Sequence, residues 1–245
     1  MINNYPLFLP NVIKTFTSSS NVLTDNNIRL KEARRALFYT IEKGFFDKII
    51  IVDGSNQAML SEEEIKQLLK SGIIIEQLLF QQDVDMVKQF GKSQGEMQIT
   101  NYMVNNSVLV KEAGGFIKIS PRYLFDNIDD IMPAIYDKEN VFYFYHPPII
   151  RTIKAFVCTI FYKTSLEFYK KNIEKGIIDC NLGVSGYLES IYYKRLNEIK
   201  KTSLHIDFPH FSGIAGTTGK SISNRFFKLR NVLSKRGLLC YSFNK

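Results

Sequence analysis

The clearest hydrophobic run of the chain covers residues 49–52 and consists of four β-branched side chains. A run that does not alternate with polar residues predicts a strand that is buried on both faces. It ends at Asp53, Gly54 and Ser55, and ligands of open α/β sheets bind beyond the carboxyl ends of such strands. We therefore expect Asp53 to accept hydrogen bonds from a ribose or base, with Gly54 and Ser55 beside it. The alternative is a strand followed by a plain Asp-Gly turn.

The remaining hydrophobic pattern alternates between strand and helix periods, and polar residues mark the ends of the elements. Asp25 or Asn26 is expected to cap the first helix, Ser61 the second, and Ser93 with Glu96 a later one. The predicted strands cover residues 11–17, 49–52, 73–80, 116–120, 141–145 and 155–162. The predicted helices cover residues 28–43, 61–71, 94–106, 164–175, 184–199 and 221–235.

This order predicts the α/β class, with a central, mostly parallel sheet flanked by helices in a single domain over residues 1–220. Residues 221–245 are expected to form a basic amphipathic extension with a C-terminal helix, because the chain carries no acidic residue from position 220 onward. The 245 residues have a formal net charge of +8, which favours nucleotides, nucleic acid or an acidic membrane surface as partners.

Three widely spaced cysteines favour a reduced, cytoplasmic setting over a disulfide-stabilised secreted protein. The chain starts without the pattern of a secretory signal, and its apolar runs are too short to span a bilayer. We therefore expect a soluble protein in the cytoplasm, with peripheral contact to the inner face of the membrane as a further possibility.

Three segments carry a resemblance to a known family. They are Gly-Lys-x-x-Gly-Glu at residues 91–96, Lys-Ile-Ser-Pro-Arg-Tyr at residues 118–123, and Gly-Ile-x-Gly-x-x-Gly-Lys at residues 213–220. In this order, and after the early Val-Asp-Gly-Ser, they resemble segments of bacterial glycosyltransferases of the GT-A type, more narrowly the sugar transferases of capsule and lipopolysaccharide synthesis. The resemblance extends over most of the chain and implies a GT-A-like, Rossmann-like fold.

The resemblance implies transfer of a sugar from a nucleotide sugar, with UDP as the expected nucleotide, to a hydroxyl of a glycan or lipid-linked glycan. Such enzymes usually hold a divalent cation with an Asp-x-Asp at the end of a central strand, where this chain has Ser-Pro-Arg at residues 120–122. Cationic side chains would then neutralise the departing diphosphate, and Lys92, Lys118 and Arg122 are our candidates. The alternative for Lys118 is a strand position that faces solvent, because it points to the opposite face from its two isoleucine neighbours.

A site for Mn²⁺ or Mg²⁺ stays open beside this metal-independent one. Asp83 and Asp85 form an Asp-x-Asp after the strand at residues 73–80, and His210 is a third candidate ligand. A solvated acidic loop and a histidine packed against phenylalanine are the alternatives for these residues.

Two loops are expected to contact the donor. Ser18 lies in a polar loop after the first predicted strand, where a base or ribose would rest. Gly216, Thr217 and Lys220 belong to the glycine-rich segment, whose backbone N–H groups could bind a diphosphate. The alternative for this segment is a flexible loop without a ligand.

An inverting transferase needs a general base for the acceptor hydroxyl. Glu189 resembles the base of the related enzymes, and Asp179 is the second choice. An exposed ion pair with Lys194 or Arg195 is the alternative for Glu189. The tail helix interleaves apolar and basic residues, which is typical of helices on anionic membranes but also of a terminal helix packed on its domain.

Together these features predict a nucleotide-sugar-dependent glycosyltransferase. A nucleotidyltransferase that makes activated sugars is the first alternative, but its glycine-rich loop would normally lie near the N-terminus. A nucleic-acid-binding module is the second, although the basic residues do not gather in one motif. A non-catalytic structural protein is the third.

Overall fold

A computed structural model of the chain describes residues 5–15, 25–145, 155–181, 187–213 and 227–243. The described strands are β1 (Leu7–Asn11), β2 (Lys48–Asp53), β3 (Ile74–Leu79), β4 (Gly115–Ile119), β5 (Tyr123–Phe125), β6 (Val141–Tyr145), β7 (Phe156–Val157), β8 (Phe161–Ser165), β9 (Lys201–Ser203), β10 (Phe211–Gly213) and β11 (Cys240–Phe243). The described helices are α1 (Asn26–Glu42), α2 (Glu62–Lys70), α3 (Val84–Phe90), α4 (Lys92–Asn106), α5 (Val108–Ala113), α6 (Ile128–Ala134), α7 (Leu166–Asn172), α8 (Gly176–Asn181), α9 (Leu188–Leu196) and α10 (Phe227–Lys235). None of these helices is long and apolar enough to cross a membrane.

The central sheet is mixed, which confirms the α/β class. Its strand order is β3-β2-β1-β4-β8-β6-β11-β9, and β7 pairs with β6. The strands β3, β2, β1 and β4 run parallel, whereas β8, β6, β11 and β9 pair antiparallel. The expected parallel arrangement therefore describes one half of the sheet. A separate antiparallel pair, β5 and β10, lies outside it.

Helix ends in the parallel half follow the polar signals of the sequence. The Asp25 carboxylate accepts hydrogen bonds from two backbone N–H groups of the first turn of α1, at 2.8 and 3.0 Å. Ser61 and Glu64 form a reciprocal capping box at the start of α2. Both predicted caps are confirmed.

The predicted capping box of Ser93 and Glu96 is wrong. α4 already begins at Lys92, and its N-cap is Gly91, which has no side chain to cap the helix. The strand predicted over residues 11–17 is also displaced, because β1 ends at Asn11 and residues 12–15 lie outside any strand. β1 accommodates Pro10 because this residue lies beyond those that β1 pairs with β4.

Each face of the sheet is covered by an apolar layer, because successive strand residues point to opposite faces. Ile49 and Ile51 belong to the layer that includes residues of α1 and α6, and Ile50 and Val52 to the layer that includes residues of α4, α7 and α9. Lys118 alternates with two isoleucines of the first layer and is fully buried. The alternative interpretation of Lys118, as a position that faces solvent, is therefore wrong.

The C-terminal end of the described chain belongs to the sheet. β11 lies between β6 and β9, and Cys240 is opposite Tyr143 in the antiparallel register. The expected boundary at residue 220 thus separates β11 from the sheet that contains it. Of the helix predicted over residues 221–235, the structure describes the part from Phe227 to Lys235, which is α10. A four-residue strand is too short to be recognised from its own pattern.

Candidate functional site

Asp53 ends β2 at the carboxyl edge of the parallel strands and connects two loops. Its carboxylate is fully buried and accepts hydrogen bonds from the Asn11 side chain at 3.0 Å and the Ile13 N–H at 2.9 Å. The N–H and hydroxyl of Ser55 (2.8 and 2.5 Å) and the N–H of Gln57 (3.1 Å) occupy the second oxygen. A nucleotide that bound Asp53 would have to break these bonds. The structure therefore gives Asp53 the role of a positioning residue, and Ser55 shares it.

Gly54 and Gly95 make room for one glutamine. A Cβ at Gly54 would lie 2.6 Å from the Gln82 side chain, and a Cβ at Gly95 would lie 2.8 Å from its Nε2. The Nε2 atom donates to the carbonyl of Gly95 at 2.6 Å. Gln82 thus connects the loops after β2 and β3 to the first turns of α4, so the two glycines serve packing at the edge of the site.

Three basic side chains meet at this edge, and we call Arg29, Lys92 and Arg122 the cationic cluster. Arg29 comes from α1, Lys92 begins α4, and Arg122 follows β4. Arg29 is buried and donates two hydrogen bonds to the Val12 carbonyl, at 2.9 and 2.6 Å. Lys92 is exposed and Arg122 half-buried, so the cluster is open to solvent at Lys92.

The charges of the cationic cluster repel one another. Burial and the neighbouring Arg122 lower the pKa of Arg29 to about 10. Partial burial of its ammonium and the charges of Arg122 and Arg29 lower the pKa of Lys92 to about 8. The Nη1 atom of Arg122 is buried and has no hydrogen-bond partner in the described part of the chain. An anion would satisfy this donor and relieve the repulsion.

The amino end of α4 adds to the positive potential. The first N–H groups of a helix lack intrahelical partners, and the helix dipole is positive at this end. The first turn of α4 contains no acidic residue, and its first residue is Lys92. The site therefore combines three fixed charges with a helix amino end, which is the usual environment of a bound phosphate.

Lys118 is fully buried and does not belong to the cationic cluster, because its charge is paired with Glu96. Its Nζ forms an ion pair with Glu96 and donates to the carbonyl of Thr159. The Thr159 hydroxyl donates to Glu189 at 3.3 Å. We call Glu96, Lys118, Thr159 and Glu189 the buried network. The prediction of Lys118 as a direct phosphate ligand does not fit these contacts.

Glu189 is the acid of this network that is suited to move a proton. Burial raises its pKa above the ordinary value, Glu96 raises it further, and Lys118 and Thr159 oppose the shift. The pKa of Tyr123 is raised by burial, lowered by Arg122, and raised by Glu96 and Glu189. Tyr123 is therefore within electrostatic range of Arg122 of the cationic cluster and of Glu96 and Glu189 of the buried network.

The second candidate base and the Asp-x-Asp lie in other contacts. Asp179 accepts a hydrogen bond from Arg195 at 2.8 Å, which ties α8 to α9. Asp83 caps α3 by accepting from the Met86 N–H at 3.0 Å. Asp85 is 96% exposed and lies 3.7 Å from Lys88. Capping and surface ion pairs explain these three carboxylates without a ligand.

His210 also has a structural partner. Its Nδ1 lies 3.1 Å from the Asp126 carboxylate, and its ring packs against Phe227 with the centroids 4.3 Å apart. In the described ranges, no three His, Cys, Asp or Glu side chains lie together as a metal site would require. The residues that we predicted as ligands of Mn²⁺ or Mg²⁺ therefore do not fit one common metal site.

Four predicted donor-binding residues, Ser18, Gly216, Thr217 and Lys220, lie outside the described residues. Two charged residues of the site were missed in the sequence. Arg29 had the appearance of an ordinary polar position on an amphipathic helix. Glu96 was assigned to a helix cap, although it belongs to the Gly-Lys-x-x-Gly-Glu segment that was already singled out. In the structure this segment meets the one that contains Lys118 through the ion pair of Glu96 and Lys118.

Comparisons with family models, with curated proteins and with solved structures find no match for this chain. The site therefore has to be interpreted from its own geometry.

Proposed function

We propose that the chain is a glycosyltransferase that uses a nucleotide sugar, with a UDP-sugar as donor and a hydroxyl of a surface glycan or lipid-linked glycan as acceptor. The observation that supports the proposal is the cationic cluster at the strand ends, with an unpartnered donor atom on Arg122. Arg122 is within electrostatic range of Glu96, which belongs to the same buried network as the half-buried acid Glu189. A site of this kind combines diphosphate binding with proton transfer.

The cationic cluster would bind the diphosphate of the donor. When the bond between the anomeric carbon and the diphosphate oxygen breaks, negative charge develops on the leaving group. The guanidinium of Arg122 can donate to two phosphate oxygens at once, and Lys92 adds a point charge from the amino end of α4. These groups are fixed before the reaction, so little reorganisation accompanies the charge transfer.

Glu189 would take the proton of the acceptor hydroxyl as its oxygen attacks the anomeric carbon. A pKa raised by burial brings the carboxylate closer to the pKa that suits a general base near neutral pH. With a base in this role, the reaction inverts the configuration of the anomeric carbon. Glu189→Gln is expected to abolish transfer and leave nucleotide binding intact.

A divalent cation has no step in this mechanism, because Asp83, Asp85 and His210 are used in separate contacts. A cytoplasmic location belongs to the same proposal, since Cys158, Cys180 and Cys240 are free thiols in the structure.

The test is a thermal-shift series with UDP, GDP, CMP and CDP, each in EDTA and in Mn²⁺. A ligand that binds only the folded state raises the melting temperature by mass action. We expect stabilisation by UDP in EDTA, followed by hydrolysis or transfer of one UDP-sugar from a panel. Stabilisation only with Mn²⁺ would contradict the metal-independent site. Tight, strongly salt-dependent binding of single-stranded DNA without any nucleotide effect would favour a nucleic-acid-binding module.

A further inference from the structure

Helix α10 turns several polar side chains toward the protein and several aliphatic ones outward. At 100° per residue, Arg230, Asn231 and Ser234 share the side that packs on the protein. Arg230 lies over the rings of Tyr145 and Phe208, at 4.9 and 5.6 Å from their centroids. A helix on a protein surface usually turns such residues outward.

The inward polar groups are not fully paired. The Nε atom of Arg230 and the Oγ atom of Ser234 are buried without a hydrogen-bond partner in the described residues. Asn231 accepts from the Phe208 N–H at 3.0 Å. Phe227 and Leu233 of the same helix also pack on the protein, so the inward side combines polar and apolar groups, and further aliphatic side chains remain on the outside.

The opposite side of the helix is apolar and basic, and we call it the α10 outer face. Leu229 and Val232 lie one turn apart and are 55% and 48% exposed, and Leu238, just beyond the helix, is 47% exposed. The face also contains Lys228, Lys235 and Arg236, all exposed, and no acidic residue. Lys235 pairs with Asp207 at 3.0 Å, so Lys228 and Arg236 are the cations best placed for a partner.

We propose that the α10 outer face docks on the surface of an anionic phospholipid bilayer. Aliphatic side chains bordered by lysine and arginine suit the boundary between lipid headgroups and acyl chains, where each contributes to binding. The structure places Leu229 and Val232 on the same side as the exposed cations, whereas Phe227 and Leu233 pack inward. This arrangement lets leucine, valine and the cations reach the same bilayer at once.

The chemistry of the face favours lipid over other anionic partners. Single-stranded nucleic acid is bound by cations together with aromatic side chains on which bases stack, and the outer face offers aliphatic ones. A second copy of the chain would bring a face with the same positive charges, which repel each other. Anionic lipid is complementary to the cations and the aliphatic groups together.

The experiment is co-sedimentation of the full chain with vesicles of 3:1 phosphatidylcholine and phosphatidylglycerol, and with pure phosphatidylcholine. We expect binding to the anionic vesicles alone. Lys228→Gln and Arg236→Gln should each weaken binding about fivefold, the effect of one cation near such a surface. Leu229→Asp with Val232→Asp should abolish it. Because these positions are exposed, thermal melting is expected to show folded variants.

Helix α2 provides a matched control, since it also has nine residues and an exposed leucine. Leu69→Asp, and Lys66→Gln with Lys70→Gln, should leave vesicle binding unchanged. Equal loss in both helices, or binding that survives the α10 variants, would overturn the proposal. So would a dimer that dissociates on Leu229→Asp, or oligonucleotide binding at this face without vesicle binding. No nucleotide is needed, so the result is independent of the proposed enzymatic function.

Discussion

Replacing Arg122 with glutamine tests the cationic cluster, because its predicted effects on binding and on stability have opposite signs. Arg122 carries the buried, unpartnered Nη1 atom, and its charge lowers the pKa of both Arg29 and Lys92. In the unliganded protein the substitution removes a repulsive charge and an unsatisfied donor. We expect the free energy of unfolding to stay the same or to rise by about 1 kcal/mol, the lower end of the cost of one buried unsatisfied group.

Binding of UDP should weaken at the same time. A hydrogen bond between charged partners contributes about 1.5–3 kcal/mol, which corresponds to about a 10- to 150-fold increase in Kd. Arg122→Lys should recover part of this loss, because it restores the charge without the planar fork that binds two oxygens.

The assays are isothermal titration with UDP in EDTA and urea unfolding of the unliganded protein. Lys70→Gln is the control, since Lys70 is an exposed cation in the last turn of α2. It should leave the Kd unchanged and alter stability by less than about 0.5 kcal/mol. If Arg122→Gln destabilised the protein by several kcal/mol and left the Kd unchanged, Arg122 would be a structural residue and the reasoning would be refuted.

Three further predictions concern the rest of the site. The pKa of Lys92 is about 8, below its ordinary 10.5, so the unfolded chain binds more protons than the folded one between these two values. The stability of the unliganded protein should therefore rise with pH in this range, while the affinity for UDP falls as Lys92 loses its charge. Urea unfolding and UDP titration at pH 7 to 10 measure the two effects, and Lys92→Met should remove both. Asp53→Asn should cost about 3 kcal/mol by placing an amide among the donors that bind the carboxylate; normal urea stability with lost UDP binding would instead make Asp53 a direct ligand. Lys118→Met should lower the free energy of unfolding by about 1–3 kcal/mol, because it leaves Glu96 without its cation. Adding Glu96→Gln should recover most of that stability in a double-mutant cycle. If the effects of the two single substitutions simply add in the double variant, the pair is not coupled.

Most of the parallel half of the fold was predictable because its signals are local, although β1 ends where its predicted strand begins. A continuous apolar run predicted β2, a mostly apolar segment predicted β3, and side-chain caps at Asp25 and Ser61 began α1 and α2 where the sequence indicated. The antiparallel half was less accessible, because β11 is four residues long and its identity as a strand depends on partners at Tyr143 and Ser203. No pattern within residues 240–243 contains that information.

The site shows the same division. Lys92 and Arg122 were found from their segments, and the structure places them within electrostatic range of each other. The solvent-facing alternative for Lys118 is wrong because strand alternation shows which face a residue points to, but not whether that face is covered. Arg29 was missed because its role comes from the position of α1 over the loop after β1, a tertiary contact of residues 17 positions apart.

The most direct measurement of the central claim is a crystal structure with UDP, grown in EDTA. Our account predicts diphosphate oxygens within hydrogen-bonding distance of Arg122 Nη1 and close to Lys92 Nζ, at the amino end of α4. A diphosphate bound elsewhere, or bound only when Mn²⁺ is added and held by Asp83 and Asp85, would contradict it.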